Sequence, residues 1–341
     1  MTETMRRWSM AAIGRDHLKL ETVAIPEPGP GEIRVKVSAV SLNYRDKLVI
    51  ETGMGLPLPI PLVPASDMAG VADAIGPGVT RFKHGDRVMS TFKPDWIDGR
   101  DNGTARTAAY KTLGGAYQGV LADYVVFPEG WFAASPHSLD DAEVSTLPVA
   151  GLTAWFALIE LGKLRAGMTV LVQGTGGVAL FGLQIAKAHG ANVVVTSRSD
   201  DKLERAKALG ADHGINSSKE DWVEAVYRIT GDEGVHHILE IAGGPNLGQS
   251  IRAVAVHGQI SVIGVFEGFE VAGPAGPLLL KSPVIQGISV GHRRSLEDFV
   301  RGIDSTGIKP VIDARYPLED LHQALDHLDR GAFGKIVIEL N

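Results

Sequence analysis

The spacing of hydrophobic and polar positions changes near residue 150 and divides the chain into two regions. Before that point, short apolar stretches alternate with polar residues, as at Ile33, Val35, Val37 and Ala39, and prolines and glycines separate them. After it, apolar strands alternate with helical segments, which is typical of a parallel sheet with helices on both faces. The pattern predicts an α/β protein, with a β-rich domain followed by a doubly wound domain.

In the second region, strands are predicted at 169–173, 192–196, 213–216, 235–240, 259–263 and 284–289. Helices are predicted between them, for example at 202–209 and 222–229. After Gly291 follow a helix at 296–304, a further helix and a final strand at 335–338, which together are too short for a domain of their own. We therefore assign residues 1–149 and 291–341 to one domain and residues 150–290 to the other.

A glycine-rich turn follows the first strand of the second domain. The turn consists of Gly174, Thr175, Gly176, Gly177 and Val178, and a helix begins within it. Glycines here permit a tight turn and a close approach of the backbone to a pyrophosphate, and the helix N-terminus favours negative charge. A strand, this turn and a helix in succession predict a dinucleotide-binding site. A glycine turn in a generic α/β domain is the alternative.

The end of the next strand predicts which dinucleotide binds. NAD-binding domains carry an acidic residue about twenty positions after the turn, where it binds the ribose 2′-hydroxyl. This chain has Ser197 and Arg198 there, with Lys202 one helical turn later. A guanidinium and an ammonium attract a 2′-phosphate, so NADP(H) is the predicted cofactor. Alternatively, both cations are solvated charges at a helix start.

Composition narrows the classes of function. The net charge of −7 gives no reason to expect a nucleic-acid partner, and no apolar run reaches the length of a membrane span. The chain has no cysteine, which excludes disulfides and thiolate zinc sites. No apolar stretch follows Arg6 and Arg7, so we expect no signal peptide and a cytoplasmic location.

Several motifs together resemble the medium-chain dehydrogenase/reductase family over nearly the whole chain. They are the glycine-rich turn, Pro77 to Val88, Leu209 to Asp212, and Phe333-Gly334-Lys335. The resemblance implies a GroES-like catalytic domain, a Rossmann domain and an oxidoreductase activity. Members commonly associate through the last strand of the Rossmann sheet, here 284–289, so a homodimer is expected.

The chain departs from the zinc-containing members of that family. Where they carry zinc ligands, this sequence has Asn43, Ser66 and Val149, which cannot form a tetrahedral zinc site, and no metal is expected. The resemblance narrows to the zinc-free branch of quinone oxidoreductases and zeta-crystallin. The implied substrate is a small-molecule electrophile, either a quinone or a C=C bond conjugated to a carbonyl. A metal-free alcohol or carbonyl dehydrogenase and a non-catalytic NADPH-binding protein are the alternatives.

Asn43, Tyr44 and Thr153 are the candidate catalytic residues. The amide of Asn43 can hold the substrate oxygen, and Tyr44 can donate a proton or pack on the nicotinamide ribose. The alternative is that both only cap and pack a helix at 44–51. The resemblance places Thr153 beside the nicotinamide. Further cofactor contacts are assigned to Asn216, Ala242, Gly264, Val265 and Lys335, the last of these near the pyrophosphate.

Two further features of the sequence lead to expectations about the structure. Asp46 and Asp67 are expected beside the vacated metal position, with Arg45 bridging to one of them as a buried ion pair. The polar segment Lys93–Gln118 is either a mobile surface lobe or a flap on the substrate side, because a loop this long is usually functional or disordered.

Overall fold

The computed structural model describes residues 3–107 and 109–340, and the chain divides into two compact units. The first unit comprises Met1–Val149 and Gly291–Asn341, and the second comprises Ala150–Val290. The strands are β1 Thr4–Met10, β2 Leu18–Ala24, β3 Glu32–Leu42, β4 Asp67–Ile75, β5 Arg87–Ser90, β6 Tyr124–Pro128, β7 Phe132–Ala134, β8 Thr169–Gln173, β9 Asn192–Ser197, β10 His213–Asn216, β11 Val235–Glu240, β12 Val254–Val262, β13 Val284–Gly287, β14 Ile312–Pro317 and β15 Lys335–Glu339. The α-helices are α1 Tyr44–Thr52, α2 Asp141–Val144, α3 Leu152–Trp155, α4 Gly177–Ala188, α5 Asp200–Ala208, α6 Trp222–Thr230, α7 Asn246–Ala253, α8 Ala275–Lys281, α9 Arg293–Thr306 and α10 Leu321–Arg330.

The first unit is built on a mainly antiparallel sheet. Its strands lie in the order β14-β15-β3-β4-β5-β7, β6 also pairs with β3, and β1 and β2 form a separate antiparallel pair. The alternation in β3 buries Ile33, Val35 and Val37 in the core, because successive side chains of a strand point to opposite faces. The β-rich GroES-like domain expected from the sequence is confirmed.

The carboxyl end of β3 positions two of the candidate site residues, Asn43 and Lys335. Asn43 follows β3 in an extended conformation and precedes α1, and its backbone N–H donates to Asp46 Oδ2 at 2.8 Å. A carboxylate at this position satisfies one of the helix's unpaired N–H groups. β15 pairs antiparallel with the same end of β3, with Ile336 opposite Leu42. This register places Lys335, from the far end of the chain, beside Asn43.

The second unit is a parallel sheet with the strand order β10-β9-β8-β11-β12-β13. The first strand, β8, lies inside the sheet, and the chain moves outward from it in one direction and then returns to the other side as β11. That is the order of a dinucleotide-binding fold, whose ligand site lies where the direction reverses, at the carboxyl ends of these two strands. The predicted Rossmann domain is confirmed.

The structure corrects several predicted boundaries. The fifth strand begins at Val254 rather than 259, and the sixth ends at Gly287 rather than 289. The helix predicted at 202–209 spans Asp200–Ala208, because the Ser199 side chain caps it by accepting from the Lys202 backbone N–H. The helix predicted at 296–304 begins at Arg293, where the His292 side chain caps it by accepting from the Ser295 N–H.

The ends of the 93–118 segment are anchored to the first unit. The Arg45 guanidinium donates to the carbonyls of Leu113 and Gly114 and lies over the Phe92 ring, 5.1 Å from its centroid. The Tyr117 hydroxyl, near the end of the segment, donates to Asp95, near its start, at 2.6 Å and joins the two ends. These contacts hold the ends of the segment, and its role as a mobile lobe or as a substrate-side flap stays a prediction.

Among the helices formed by residues 3–107 and 109–340, none has the length and apolar character needed to cross a membrane. The cytoplasmic location stays a prediction.

Candidate active site

The glycine-rich turn has the geometry that a pyrophosphate requires. Gly174 has a φ of +79°, which favours glycine, and Gly176 is the extended N-cap of α4. A Cβ atom at either glycine would meet nothing within 4 Å, so the backbone there has an open side. Thr175 is buried and Val178 is half-buried, whereas Gly177 begins the helix. The unpaired N–H groups of the first helical turn and this open side fit a dinucleotide phosphate.

The close packing of α4 against the parallel sheet depends on a further glycine. A Cβ at Gly182, on the inner side of α4, would lie 2.3 Å from Leu239 Cδ1 of β11. The absent side chain lets the helix approach the sheet about one helical turn after Ala179, the buried residue at the third small position of the dinucleotide motif.

The loops after β11 and β12 meet backbone to backbone. A Cβ on Gly264 would lie 1.8 Å from the Ile241 carbonyl oxygen, so only glycine fits there. The Glu267 N–H donates to the Ala242 carbonyl at 2.8 Å, and Val265 is exposed. The predicted contacts Ala242, Gly264 and Val265 therefore lie in one loop cluster at the carboxyl edge of the sheet.

A buried polar network beneath these loops was missed by the sequence analysis. Gln173, the last residue of β8, accepts from the N–H groups of Ile241 and Ala242 through Oε1 and donates to Glu240 through Nε2 at 2.9 Å. Glu240 is fully buried and also accepts from Gly243 N at 2.9 Å, Asn246 Nδ2 and Ser250 Oγ. The network joins the strand before the phosphate turn to the loop after β11. The signal for this network in the sequence was that two apolar strands, β8 and β11, each end in a polar residue.

The residues predicted to select the cofactor lie at the end of β9 and just after it. The neighbouring strand β10 pairs with β9 in a register that places its last residue, Asn216, opposite Ser197. Arg198 is exposed directly after β9, and Lys202 is half-buried in the first turn of α5. Ser197 Oγ accepts from the Ser199 N–H at 3.2 Å. The Asn216 side chain is engaged within the unit, because it donates to Asp200 Oδ1 at 2.6 Å and accepts from Ser218.

In the first unit, the positions that replace zinc ligands belong to one buried polar cluster. The Ser66 hydroxyl donates to Asp67 Oδ1 at 2.6 Å, and the Val149 N–H donates to Asp67 Oδ2 at 3.0 Å. Lys335 Nζ donates to Asn43 Oδ1 and to the Leu42 carbonyl, both at 2.6 Å. We call Asn43, Asp46, Ser66, Asp67 and Lys335 the polar cluster.

Burial shifts the pKa values of the ionisable groups in the polar cluster. It raises the pKa of Asp67 to about 6, although the Lys335 ammonium opposes that shift. It also raises the pKa of Asp46, against the attraction of Arg45, whose guanidinium lies 3.5 Å from that carboxylate. For Lys335 burial lowers the pKa, and both carboxylates oppose the change. The expected bridge from Arg45 is thus present at Asp46.

These residues do not fit a catalytic zinc ion. Zinc in such sites takes thiolate, imidazole or carboxylate ligands in a tetrahedral arrangement. Here the Asn43 oxygen accepts from an ammonium, the Ser66 hydroxyl donates to a carboxylate, and the Val149 side chain is apolar. In the described parts of the chain, His, Asp and Glu form no group of three placed to hold a metal.

The remaining candidates lie in different surroundings. Tyr44 is exposed at the start of α1, with the Lys47 ammonium 5.5 Å from its ring centroid. Thr153 is buried in α3 of the second unit. His237 is buried in β11, where burial lowers its pKa to about 4, so a neutral structural role suits it. The roles of Tyr44 and Thr153, and that of Lys335 at a pyrophosphate, stay predictions.

Comparison with known proteins identifies the class. Residues 29–137 match the alcohol dehydrogenase GroES-like domain, and residues 177–305 match the zinc-binding dehydrogenase domain. A zinc-type alcohol dehydrogenase-like protein of Schizosaccharomyces pombe is 39% identical over 96% of both chains, and a quinone oxidoreductase of Rattus norvegicus is 28% identical over 96% of this chain and 95% of its own. The crystal structure of a provisionally assigned alcohol dehydrogenase from Sinorhizobium meliloti 1021 is 67% identical over 99% of both chains, with a TM-score of 0.97.

The two domain matches define a dehydrogenase-type protein with a GroES-like domain and a dinucleotide-binding domain. The chain belongs to the medium-chain dehydrogenase/reductase family. It is an oxidoreductase of that family, whose members bind a nicotinamide cofactor.

Proposed function

We propose that this protein is an NADPH-dependent reductase that transfers hydride, without a metal, to quinones or to C=C bonds conjugated to a carbonyl. The observation that carries the proposal is the polar cluster, in which Asn43 and Ser66, at positions where zinc-containing members have ligands, instead bind the Lys335 ammonium and the Asp67 carboxylate. The relationship to a quinone oxidoreductase supports it. The names of the S. pombe and S. meliloti relatives favour a second candidate, an alcohol or carbonyl dehydrogenase, which in this chain would work without a metal.

The chemistry of the substrate decides between these candidates. An unactivated alcohol becomes a good hydride donor only when a Lewis acid binds its oxygen or a general base removes its proton, whereas a quinone or enone spreads the incoming charge onto its own oxygen. The bound cofactor would supply the hydride, and the protein must then supply a hydrogen-bond donor at that oxygen. The resulting anion takes the proton that completes the reduction from Tyr44 or from solvent. Asn43 Nδ2 suits this role, because it is buried and makes no hydrogen bond within 3.5 Å of a described residue, although the amide lies near enough to Asp67 to lower the pKa of that carboxyl. An unsatisfied buried donor costs about 1–3 kcal/mol, which substrate binding would recover.

The proposed preference for NADPH is supported by the residues after β9. They include the exposed Arg198 and, one turn into α5, Lys202, with no carboxylate at the position where NAD-binding domains have one. Ser197 adds a hydroxyl at the strand end. Two cations and a hydroxyl are complementary to a 2′-phosphate.

The oxidation of NADPH by a panel of quinones, enones, enoyl thioesters, aldehydes and alcohols tests the function. We expect turnover with the conjugated classes, none with aldehydes or alcohols, and the same rates after dialysis against a chelator. Metal analysis of the purified protein is the control. Turnover of aldehydes alone would favour the second candidate, and loss of activity on chelation would refute the metal-free mechanism. Tight NADPH binding without any turnover would indicate a non-catalytic protein.

We also propose that the protein is a homodimer formed through β13. This strand ends the parallel sheet and pairs only with β12 in the described chain, and each of its residues is exposed. Beside it on α8, Leu279 and Leu280 are 75% and 84% exposed. An exposed apolar edge strand is a template for pairing with a second copy.

Replacing Leu279 and Leu280 with glutamate is expected to give a monomer, because like charges would face each other across the interface. Light scattering after size-exclusion chromatography measures the mass. Ile97→Glu, at an exposed apolar position of the first unit, is the matched control and should leave the mass unchanged. A dimer that persists in the double variant would exclude this interface.

A further inference from the structure

We propose that Lys335 is a positioning residue that orients the substrate-binding amide of Asn43. Its ammonium would be a fixed internal cation in the place that the metal has in zinc-containing members of the family. The inference rests on the proposed function and adds a specific role within it. Lys335 would act through Asn43 and not through contact with the substrate.

The backbone holds Lys335 in place. Gly334 has a φ of +95°, and a Cβ there would lie 2.3 Å from the Val311 carbonyl oxygen, so glycine is required just before the lysine. The Lys335 N–H then donates to the same carbonyl at 2.9 Å, which begins the pairing of β15 with β14. On its other side β15 pairs with β3. The lysine therefore starts a strand that is fixed on both sides.

The two buried carboxylates of the polar cluster require cations beside them. Asp46 and Asp67 are both buried, and a buried carboxylate without a partner is expensive. Arg45 lies beside Asp46, and Lys335, a residue only 5% exposed, interacts through its ammonium with both carboxylates. Two anions and two cations thus balance in this buried region.

The ammonium fixes which way the amide of Asn43 points. A lysine ammonium only donates, so the Asn43 atom facing it must be the oxygen, and Nδ2 must point elsewhere. An amide that is free to flip would present oxygen or nitrogen to a substrate, and only the nitrogen can bind the oxygen of a quinone or enone. Lys335 thereby keeps Asn43 in the donor orientation.

The test is a double-mutant cycle of Lys335→Met and Asn43→Ala on the best substrate from the panel, with the dissociation constant of NADPH measured by fluorescence. We expect Lys335→Met to lower kcat by about tenfold to 100-fold and to leave NADPH binding within about threefold of the wild type. The double variant should be no slower than Asn43→Ala alone, because both changes remove the same oriented donor. Lys335→Arg, which keeps the charge, should restore part of kcat. Lys309→Met, at an exposed lysine of the same unit, is the control.

Two results would overturn the inference while leaving the proposed function intact. One is NADPH binding weakened by more than about tenfold with kcat retained at saturating cofactor, which would assign Lys335 to the pyrophosphate. The other is an additive loss of kcat in the double variant. A wild type that reduces no member of the panel would instead refute the proposed function, and the inference with it. If Lys335→Met fails to fold, Lys335→Met with Asp67→Asn removes both charges together and is compared with Asp67→Asn alone.

Discussion

Replacing Arg198 and Lys202 with alanine is expected to raise the dissociation constant of NADPH by about 100-fold or more and to leave that of NADH nearly unchanged. The two cofactors differ only in the 2′-phosphate, so groups that bind this phosphate affect one affinity and not the other. A hydrogen bond to a charged group contributes about 1.5–3 kcal/mol, and about 2.8 kcal/mol corresponds to 100-fold. Isothermal titration with both cofactors at one fixed ionic strength measures the effect.

A matched control separates this contact from a general loss of positive charge. Lys207 and Arg228 are exposed cations of the same unit that form ion pairs with Glu204 and Glu220. Their double alanine variant removes the same charge and should retain the preference for NADPH. Tighter binding of NADH than of NADPH by the wild-type protein would contradict the proposed cofactor preference.

The dinucleotide-binding unit was predictable because its signals are local. The glycines of the phosphate turn, the apolar strand before it and the helix after it are adjacent in sequence, so their spacing alone predicts the motif. The start of α5 was instead placed at 202 rather than Asp200, because its capping residue, Ser199, was not identified in advance. Errors are confined to strand and helix ends, such as the early start of β12 at Val254.

The polar cluster could be predicted only in part, because its contacts join distant segments. The sequence indicated that Asn43, Ser66 and Val149 replace zinc ligands, but not what compensates for the buried Asp67. The answer is Lys335, 292 residues beyond Asn43, and the register of β15 on β3 that brings them together has no local signal. Gln173 and Glu240 show the same limit, since periodicity identifies their strands but not the bond between them.

Substitution of Asn43 by alanine is expected to lower kcat by about 100-fold to 1,000-fold while NADPH binds as in the wild type. Removing one donor to a developing oxyanion has effects of this size, because the charge on the substrate oxygen is largest in the transition state. Steady-state kinetics on the best conjugated substrate gives kcat, and fluorescence titration gives the affinity for NADPH.

Ser41→Ala distinguishes this effect from simple disturbance of the buried region. Ser41 lies two residues earlier on β3, is fully buried, and its hydroxyl has no partner in the described chain, so its removal perturbs the same packing without removing the proposed donor. We expect this variant to keep the wild-type kcat. If instead Asn43→Ala retains kcat, or if both variants lose it equally, Asn43 does not bind the substrate oxygen, and the buried amide serves only to cap α1 and to satisfy Lys335.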